Sequence, residues 1–278
     1  MPPVCRVMPD WVDGLPAGSL SVKDRGLAYG DGVFETIAVK AGRPLLLDRH
    51  LQRLETGCQR LAISVDLALV HSEMTRFAAE LGDGVMKLIL TRGDGQRGYA
   101  PAANACSRRI LQGSAAPAYP AAHAEQGVRL FACQTRLAEQ PLLAGLKHLN
   151  RLEQVMARSE WSDSEHAEGL MRDTSGRLIE GVYSNLFLVC GGRLLTADLS
   201  RCGVAGVMRA ALLDQARNLG LAVEIRDLHL PDLETADEVF LCNSVYGVWP
   251  VCGFAALDWA VGPLTRKLQG IARTLLDI

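Results

Sequence analysis

Apolar and polar positions follow two different periods along the first part of the chain. Residues 32–47, GVFETIAVKAGRPLLL, are rich in strand-forming side chains and break at residues 41–43, which predicts a β-hairpin. From Asp48 onward, apolar residues recur every three or four positions, which predicts an amphipathic helix with a charged outer face. The same spacing returns over residues 66–81, and the runs VMKLILTRG and RRILQG then predict two strands flanking a polar loop.

A stretch rich in alanine and proline, GSAAPAYPAAHA, interrupts these patterns and predicts a linker. Beyond it, the sequence predicts one strand, two hairpins, a helix from Val207 to about Asn218, three further strands and a helix from Pro263. Because helices are mixed with antiparallel hairpins, we expect an α+β protein of two domains. The predicted boundaries are an N-terminal α/β domain at 1–114, a linker at 115–124 and a C-terminal domain at 125–278.

Composition excludes several classes of partner. The net charge of −2 gives no reason to expect binding to nucleic acid or to an anionic membrane. The eight cysteines are scattered, without a CxxC pair or a His/Cys cluster, so we expect reduced thiols in a cytoplasmic protein and no metal site. No apolar run approaches the ~20 residues of a membrane span, and the first residues lack the pattern of a signal peptide.

The stretch AGLKHLNRLEQVMAR, residues 144–158, holds the first candidate for chemistry. Asn150 followed by Glu153 fits a capping box, so a helix should begin at Arg151. The face predicted to be buried consists of Leu152, Val155 and Met156. Lys147 then lies before the helix, where a lysine is usually a solvated charge. Its amine is also able to form a Schiff base with the carbonyl of a substrate or of pyridoxal phosphate.

The cofactor hypothesis demands a carboxylate for the pyridine nitrogen and a basic residue for the phosphate. Glu180, in LIEGVYSNLF, lies between two apolar strands, where an unpaired carboxylate would be costly. Arg53 lies on the predicted helix that begins at Asp48. Each has an ordinary alternative, because a hairpin-edge glutamate and a helix-face arginine are both commonly solvated.

The cofactor hypothesis also demands an anion site. Gly203 and Gly206 bracket a turn that leads into a predicted helix, so the N–H groups of Val207 and Met208 would be available to an anion. Ser244, at the end of an apolar strand, would add a hydroxyl donor. Taken alone, these residues fit equally well an ordinary helix start and a turn.

Five motifs taken together resemble those of the fold-type IV pyridoxal-phosphate enzymes: GLKHLNRLEQV, EGVYSNLF, GVAGVMR, YGDGVFET and RGDGQRGY. The resemblance spans about residues 10–255 and implies pyridoxal 5'-phosphate as cofactor, a cofactor cleft between the two domains and a homodimer. It further implies that Lys147 forms the aldimine with the cofactor and acts as general base. Glu180 would pair with the pyridine nitrogen, and Arg53 would bind the phosphate.

The resemblance also implies that the Val207 and Met208 amides and Ser244 complete the phosphate site. Many relatives have Ile-Thr where this chain has Val207–Met208, so one hydroxyl donor of that pattern is missing. Within the family, KHLNRLEQV and RGDGQRGY most resemble the lyase members. That likeness implies conversion of 4-amino-4-deoxychorismate to 4-aminobenzoate and pyruvate. The alternative is a D-amino acid or branched-chain aminotransferase, and a third hypothesis is a cofactor-binding protein without activity.

Thr36, in VFET, separates the lyase from the branched-chain aminotransferases, because those relatives commonly have glycine there. Its hydroxyl would assist proton transfer, although a β-branched residue is also ordinary in a strand. The implied substrate carries two carboxylates, so cationic and polar groups are expected near it. The candidates are Tyr29, Arg97 and Tyr99. For Arg97, in a glycine-rich loop, a solvated role remains open.

Overall fold

The computed structural model describes residues 9–103 and 105–277. The chain divides into two compact units, one formed by Met1–Pro117 with Lys147–Asn150 and the other by Ala118–Leu146 with Arg151–Ile278. The predicted linker at 115–124 includes this division. The short segment Lys147–Asn150 belongs to the first unit, although its position in the sequence had placed it in the C-terminal domain.

The first unit is built around an antiparallel sheet flanked by helices. Its elements in chain order are β1 (Trp11–Val12), β2 (Leu15–Pro16), α1 (Arg25–Tyr29), β3 (Gly32–Lys40), β4 (Arg43–Pro44), α2 (Leu47–Arg60), α3 (Leu67–Leu81), β5 (Gly84–Thr91) and β6 (Arg108–Ser114). The described strands pair in the order β2-β1-β6-β5-β3-β4. The predicted hairpin, the two helices and the two later strands are therefore confirmed.

Alternation along β3 decides which side chains face the core of the first unit. Val33, Ile37 and Val39 are buried in a cluster with apolar residues of α2 and α3. Phe34 and Thr36 point to the opposite face, which is only partly buried. The apolar residues of α2 and α3 thus pack against one face of β3. The side chains on the other face, including Phe34 and Thr36, lie outside this core.

The second unit contains the remaining elements. In chain order they are α4 (Ala121–Glu125), β7 (Val128–Leu137), α5 (Leu152–Arg158), β8 (His166–Asp173), β9 (Leu178–Gly181), β10 (Asn185–Cys190), β11 (Arg193–Ala197), α6 (Val207–Asn218), β12 (Val223–Arg226), α7 (Leu230–Glu234), β13 (Glu238–Asn243), β14 (Gly247–Phe254), β15 (Leu257–Asp258) and α8 (Pro263–Leu275). The predicted hairpins β8–β9 and β10–β11 and the helices α6 and α8 are confirmed.

Strand pairing in the second unit closes on itself. The sheet runs β12-β11-β10-β13-β14-β7-β8-β9, with β15 on β14, and one further pairing of Glu180 with Asn185 joins β9 back to β10. Because of this pairing, the end of β9 and the start of β10 lie side by side, with the turn between them. Within the described ranges, no helix is long and apolar enough to span a membrane.

Helix α5 corrects two predictions. Its N-cap is Arg151, whose side chain makes no capping hydrogen bond, while Glu153 accepts the N–H of Ala138 at 2.8 Å, so no capping box forms. The residues predicted to be buried are instead exposed: Leu152 by 76%, Val155 by 58% and Met156 by 62%. Spacing of three and four identifies side chains on a common face of a helix, but it does not say what that face contacts. In this unit Ala157 is the residue of α5 that packs inward.

Candidate active site

Lys147 is held on β3 by backbone hydrogen bonds. The N–H of Phe34 donates to the Lys147 carbonyl at 2.9 Å, and the N–H of Leu149 donates to the Gly32 carbonyl at 3.0 Å. The Lys147 Nζ atom lies 4.3 Å from the centre of the Phe34 ring. The segment that carries the lysine is therefore hydrogen-bonded to β3 in the manner of a short additional strand. This pairing holds the lysine backbone against the sheet.

The partly buried face of β3 gathers further polar groups near this amine. Thr36 follows Phe34 by two residues and points the same way. Lys87 of β5 is paired with Thr36, and its Nζ atom lies 5.3 Å from the centre of the same Phe34 ring. The structure thus places Thr36 on the face that holds the Lys147 amine and adds a second lysine that the sequence reading missed.

Arg53 is oriented by a buried carboxylate on the opposite face of β3. Its Nε donates to Glu35 Oε1 at 2.8 Å, and its Nη2 donates to Glu35 Oε2. His50, one helical turn before Arg53, bonds the same carboxylate through Nδ1 at 2.5 Å. Both Glu35 and His50 are fully buried. A two-point contact of this kind holds the plane of a guanidinium group.

The charges of this group are coupled. Burial raises the pKa of Glu35, but the charges and hydrogen bonds of Arg53 and His50 outweigh it and lower that pKa to about 2. Burial lowers the pKa of His50, opposed by Glu35, and the charges of Arg53 and Lys147 lower it further. Burial therefore favours the neutral form of the His50 ring, while the Glu35 carboxylate beside its Nδ1 atom favours the charged form.

Tyr29, at the end of α1, and Tyr99, on the glycine-rich loop, come together. Their ring centres are 5.5 Å apart, and Tyr29 accepts the Gly98 N–H at 3.3 Å. Arg25, unrecognised in the sequence, anchors the loop by donating to the Gly98 and Tyr99 carbonyls at 3.1 and 2.8 Å. Arg97 lies on the same loop and is exposed.

Glu180 and Asn185 both hydrogen-bond to the turn that precedes α6. Glu180 is 4% exposed, and its Oε2 accepts the Val204 N–H at 2.8 Å. Asn185 donates through Nδ2 to the Val204 carbonyl at 2.9 Å. The two paired side chains thus bind both backbone groups of Val204, so the carboxylate is hydrogen-bonded to the turn that leads into α6.

The turn itself needs glycine at both ends. Gly203 has φ +83°, which favours glycine. A Cβ atom on Gly206 would lie 2.0 Å from Asn185 Oδ1, so no other residue fits there without a shift. Gly206 is the N-cap of α6, so no cap side chain competes for the N–H groups of Val207 and Met208. The predicted helix start is confirmed.

Ser244 lies in the turn between β13 and β14. Asn243 shapes this turn, because its Oδ1 accepts the N–H groups of Val245 and Tyr246, each at 2.9 Å. The Asn243 Nδ2 donates to the Tyr183 carbonyl at 3.3 Å. The Ser244 turn is therefore tied to the turn that separates Glu180 from Asn185.

His148 and Arg151 had no assignment from the sequence. His148 forms an isolated bridge with Val33 and so helps to dock the lysine segment. Burial lowers the pKa of Arg151, while the nearby charge of Glu180 raises it. Arg151 therefore lies within electrostatic range of the Glu180 carboxylate.

Comparison with known families gives the class of protein to which this fold belongs. The chain belongs to the amino-transferase class IV family, which it matches over residues 32–254. It is similar to the crystal structure of 4-amino-4-deoxychorismate lyase from Pseudomonas aeruginosa, with 65% identity, a TM-score of 0.95 and coverage of 97% of this chain and 100% of that one.

Two relatives represent the two activities under consideration, those of a lyase and of an aminotransferase. The aminodeoxychorismate lyase of Vibrio harveyi is 38% identical over 95% of this chain and 99% of its own length. A putative branched-chain-amino-acid aminotransferase of Methanocaldococcus jannaschii is 32% identical over 90% of this chain and 88% of its own length. The resemblance indicated by the motifs is confirmed, and the two lyases named here are more similar to this chain than the aminotransferase is.

The sequence alone did not identify the residues whose side chains hold the candidate site residues in position. Glu35 and His50 hold Arg53, Arg25 holds the tyrosine loop, and Asn243 holds the Ser244 turn. One signal for Lys87 was present, since a lysine interrupts the apolar run VMKLIL. The partners of the other residues lie far away in the sequence, and no local pattern reports them.

Proposed function

We propose that this chain is a pyridoxal-phosphate-dependent lyase that converts 4-amino-4-deoxychorismate to 4-aminobenzoate and pyruvate. The observation on which the proposal rests is the fixed Lys147 amine on the β3 face that presents Thr36, in a chain 65% identical to such a lyase. Both aminodeoxychorismate lyase and the class IV aminotransferases are represented among its relatives.

The first unit offers groups for the aldehyde and the phosphate. The Lys147 amine is the attachment point for the aldehyde carbon. The Arg53 guanidinium, oriented by Glu35, would neutralise phosphate charge. Phe34 supplies an apolar wall beside the amine.

The second unit offers groups that fit the pyridine nitrogen and the phosphate. Glu180 is a buried carboxylate, which would keep a ring nitrogen protonated. The uncapped start of α6 presents the N–H groups of Val207 and Met208, and such a helix start binds phosphate readily. Ser244 would add a hydroxyl donor, although neither residue after Gly206 has the hydroxyl found in many relatives.

The residues then divide the chemistry among them. When bound, pyridoxal phosphate supplies an electron sink for the pair left behind when a proton leaves the carbon that bears the substrate amine. Lys147 accepts that proton from C4, and the Thr36 hydroxyl on the same face assists the transfer. Cleavage of the C3–O bond gives 4-aminobenzoate and pyruvate, which together contain every atom of the substrate, so no second reactant is consumed.

The substrate carboxylates need cations. Lys87 is placed for one of them, because its amine lies over the same ring as Lys147. Arg97 and Tyr99 on the glycine-rich loop, where Arg25 fixes the backbone, are proposed for substrate binding together with Tyr29 of α1.

An aminotransferase is the second candidate, favoured by the 32% identical relative. It would use the same lysine, so Lys147 does not separate the two activities. Purified protein loaded with pyridoxal phosphate is incubated with 4-amino-4-deoxychorismate, and pyruvate and 4-aminobenzoate are measured. We expect equal amounts of both products. Absence of pyruvate, with transfer of the amino group from D-alanine or a branched-chain amino acid to a keto acid, would reverse the choice.

A homodimer is also proposed. The apolar face of α5, formed by Leu152, Val155 and Met156, is exposed on its unit and suits contact with a second copy. Light scattering should give the mass of a dimer, and Met156→Glu should shift the population toward monomer. A monomeric wild-type protein would contradict this proposal.

A reducing, cytoplasmic location is proposed from the thiols. Four described cysteines are buried free thiols: Cys58, Cys133, Cys202 and Cys242. Burial raises the pKa of each to about 12, so they stay protonated and unreactive.

A further inference from the structure

One short turn joins several of the groups proposed for the cofactor. Residues 181–184 begin with the last residue of β9 and lead into β10. They are flanked by Glu180 and Asn185, which hydrogen-bond to Val204 before α6. The Tyr183 carbonyl in this turn accepts the hydrogen bond from Asn243, next to Ser244. The position of this turn therefore bears on the carboxylate, the helix start and the serine together.

Glu168 of β8 binds the turn with both carboxylate oxygens. Its Oε1 accepts the Val182 N–H at 2.9 Å, and its Oε2 accepts the Ser184 hydroxyl at 2.9 Å and the Tyr183 N–H at 3.4 Å. The N–H of Gly169 donates to Oε1 at 3.0 Å. Three consecutive residues of the turn thus donate to a single side chain, which restricts the turn to one conformation.

The packing around this carboxylate is tight. A Cβ atom on Gly181 would lie 2.2 Å from Ser184 Oγ and 3.0 Å from Glu168 Cδ, so a larger residue would displace the side chain that holds the turn. Glu180 is the residue directly before Gly181. Movement at this point is therefore transmitted directly to the proposed partner of the pyridine nitrogen.

Glu168 is fully buried and belongs to none of the ion pairs found among the described residues. Burial raises its pKa to about 8, while the hydrogen bonds from Gly169, Ser184, Val182 and Tyr183 lower it. A buried carboxyl without a cationic partner is costly for folding, and well-packed apolar side chains would serve a purely structural purpose better. Departures from this rule are expected where a site requires them.

We propose that Glu168 is a positioning residue of the cofactor site, which sets the orientation of the Glu180 carboxylate and of the Ser244 turn by holding residues 181–184. Glu168 acts through these groups and does not contact the cofactor itself. The inference rests on the proposed role of Glu180 at the pyridine nitrogen.

The test compares Glu168→Gln with Glu180→Gln in the full chain. Three quantities are measured: the affinity of the apoenzyme for pyridoxal phosphate, the pH titration of the absorbance of the bound cofactor, and the thermal unfolding of the apoenzyme. Glu238→Gln is the matched control. Glu238 is also a buried carboxylate of this unit, but it accepts the N–H groups of Leu264 and Thr265 at the start of α8.

We expect Glu168→Gln to shift the titration midpoint in the same direction as Glu180→Gln, by a smaller amount. We also expect it to weaken cofactor binding about tenfold, the order found when outer partners of a metal ligand are removed. Glu238→Gln should lower the unfolding temperature and leave the titration and the affinity unchanged. Ser184→Ala, which removes one donor to Glu168, should act in the same direction as Glu168→Gln and serves if that variant fails to fold.

Two outcomes would overturn the inference in distinguishable ways. If Glu180→Gln shifts the titration while Glu168→Gln and Ser184→Ala lower only the unfolding temperature, Glu168 is a structural residue and the proposed role of Glu180 stands. If Glu180→Gln itself leaves the titration unchanged, the role of Glu180 fails, and the role of Glu168 fails with it.

Discussion

Phe34 fixes Lys147 at two points. Its N–H binds the lysine carbonyl at 2.9 Å, and its ring lies 4.3 Å from the lysine Nζ atom. One strand residue therefore sets both the backbone and the amine of the residue proposed to do the chemistry. The amine is therefore already restricted before the reaction begins, so less conformational entropy is lost when it reacts.

Lys147→Ala should abolish turnover. The variant loses both the attachment point for the cofactor and the base, and a general base alone contributes about 10²–10⁴-fold. Pyruvate release measures activity, and borohydride reduction followed by peptide mass analysis locates the covalent cofactor. Lys23→Ala, which removes an exposed lysine of the same unit, is the control and should remain fully active. Near-normal activity in Lys147→Ala would contradict the proposed mechanism.

Thr36→Gly should lower lyase activity about 10- to 100-fold while cofactor binding persists, because the hydroxyl that assists proton transfer is lost. Glycine also weakens a strand, so the matched variant is Thr36→Val, which keeps the branched shape without the hydroxyl. Thr36→Ser retains the hydroxyl and should preserve most of the activity. If Thr36→Val were as active as the wild type, the hydroxyl would have no part in the reaction.

Lys87→Met should raise the KM for 4-amino-4-deoxychorismate about tenfold without changing the affinity for pyridoxal phosphate. The lysine amine lies 5.3 Å from the centre of the Phe34 ring, where it would meet a substrate carboxylate and not the cofactor. Steady-state kinetics and cofactor titration separate the two effects. Lys87→Arg keeps the charge and should recover part of the loss. An unchanged KM in Lys87→Met would remove Lys87 from the substrate site.

Acid should destabilise the wild-type protein through Glu35. Its pKa is lowered from 4.5 to about 2 in the folded protein, so the unfolded chain binds the proton more readily. The stabilisation is therefore fully present above pH 4.5 and is lost as the pH falls toward 2. The shift corresponds to about 3 kcal/mol of unfolding free energy.

Glu35→Gln tests that pH dependence. Urea unfolding between pH 3 and pH 6, with the pH values chosen to span the ordinary range of a carboxyl group, should show a smaller slope for the variant than for the wild type. The variant should also bind pyridoxal phosphate more weakly, because Arg53 loses its two-point contact. Identical slopes would mean that Glu35 does not carry the charge assigned to it.

The sequence by itself determined the elements and several of their ends. The alternation in β3, the apolar stripe of α2 and the glycine start of α6 are local patterns, and the structure has each of them where the sequence predicts it. Motifs also identified Lys147 and Glu180 as candidates, because short stretches around them resemble the family.

Only the tertiary structure decided how those candidates are held. The docking of Lys147–Asn150 onto β3, the contact of Arg53 with Glu35 and the grip of Glu168 on residues 181–184 join residues that belong to different elements. The same holds for α5, whose apolar face the sequence placed inside and the structure leaves exposed. Periodicity reports which side chains share a face within one element. The partner that the face meets, or lacks, is fixed by the packing of separate elements.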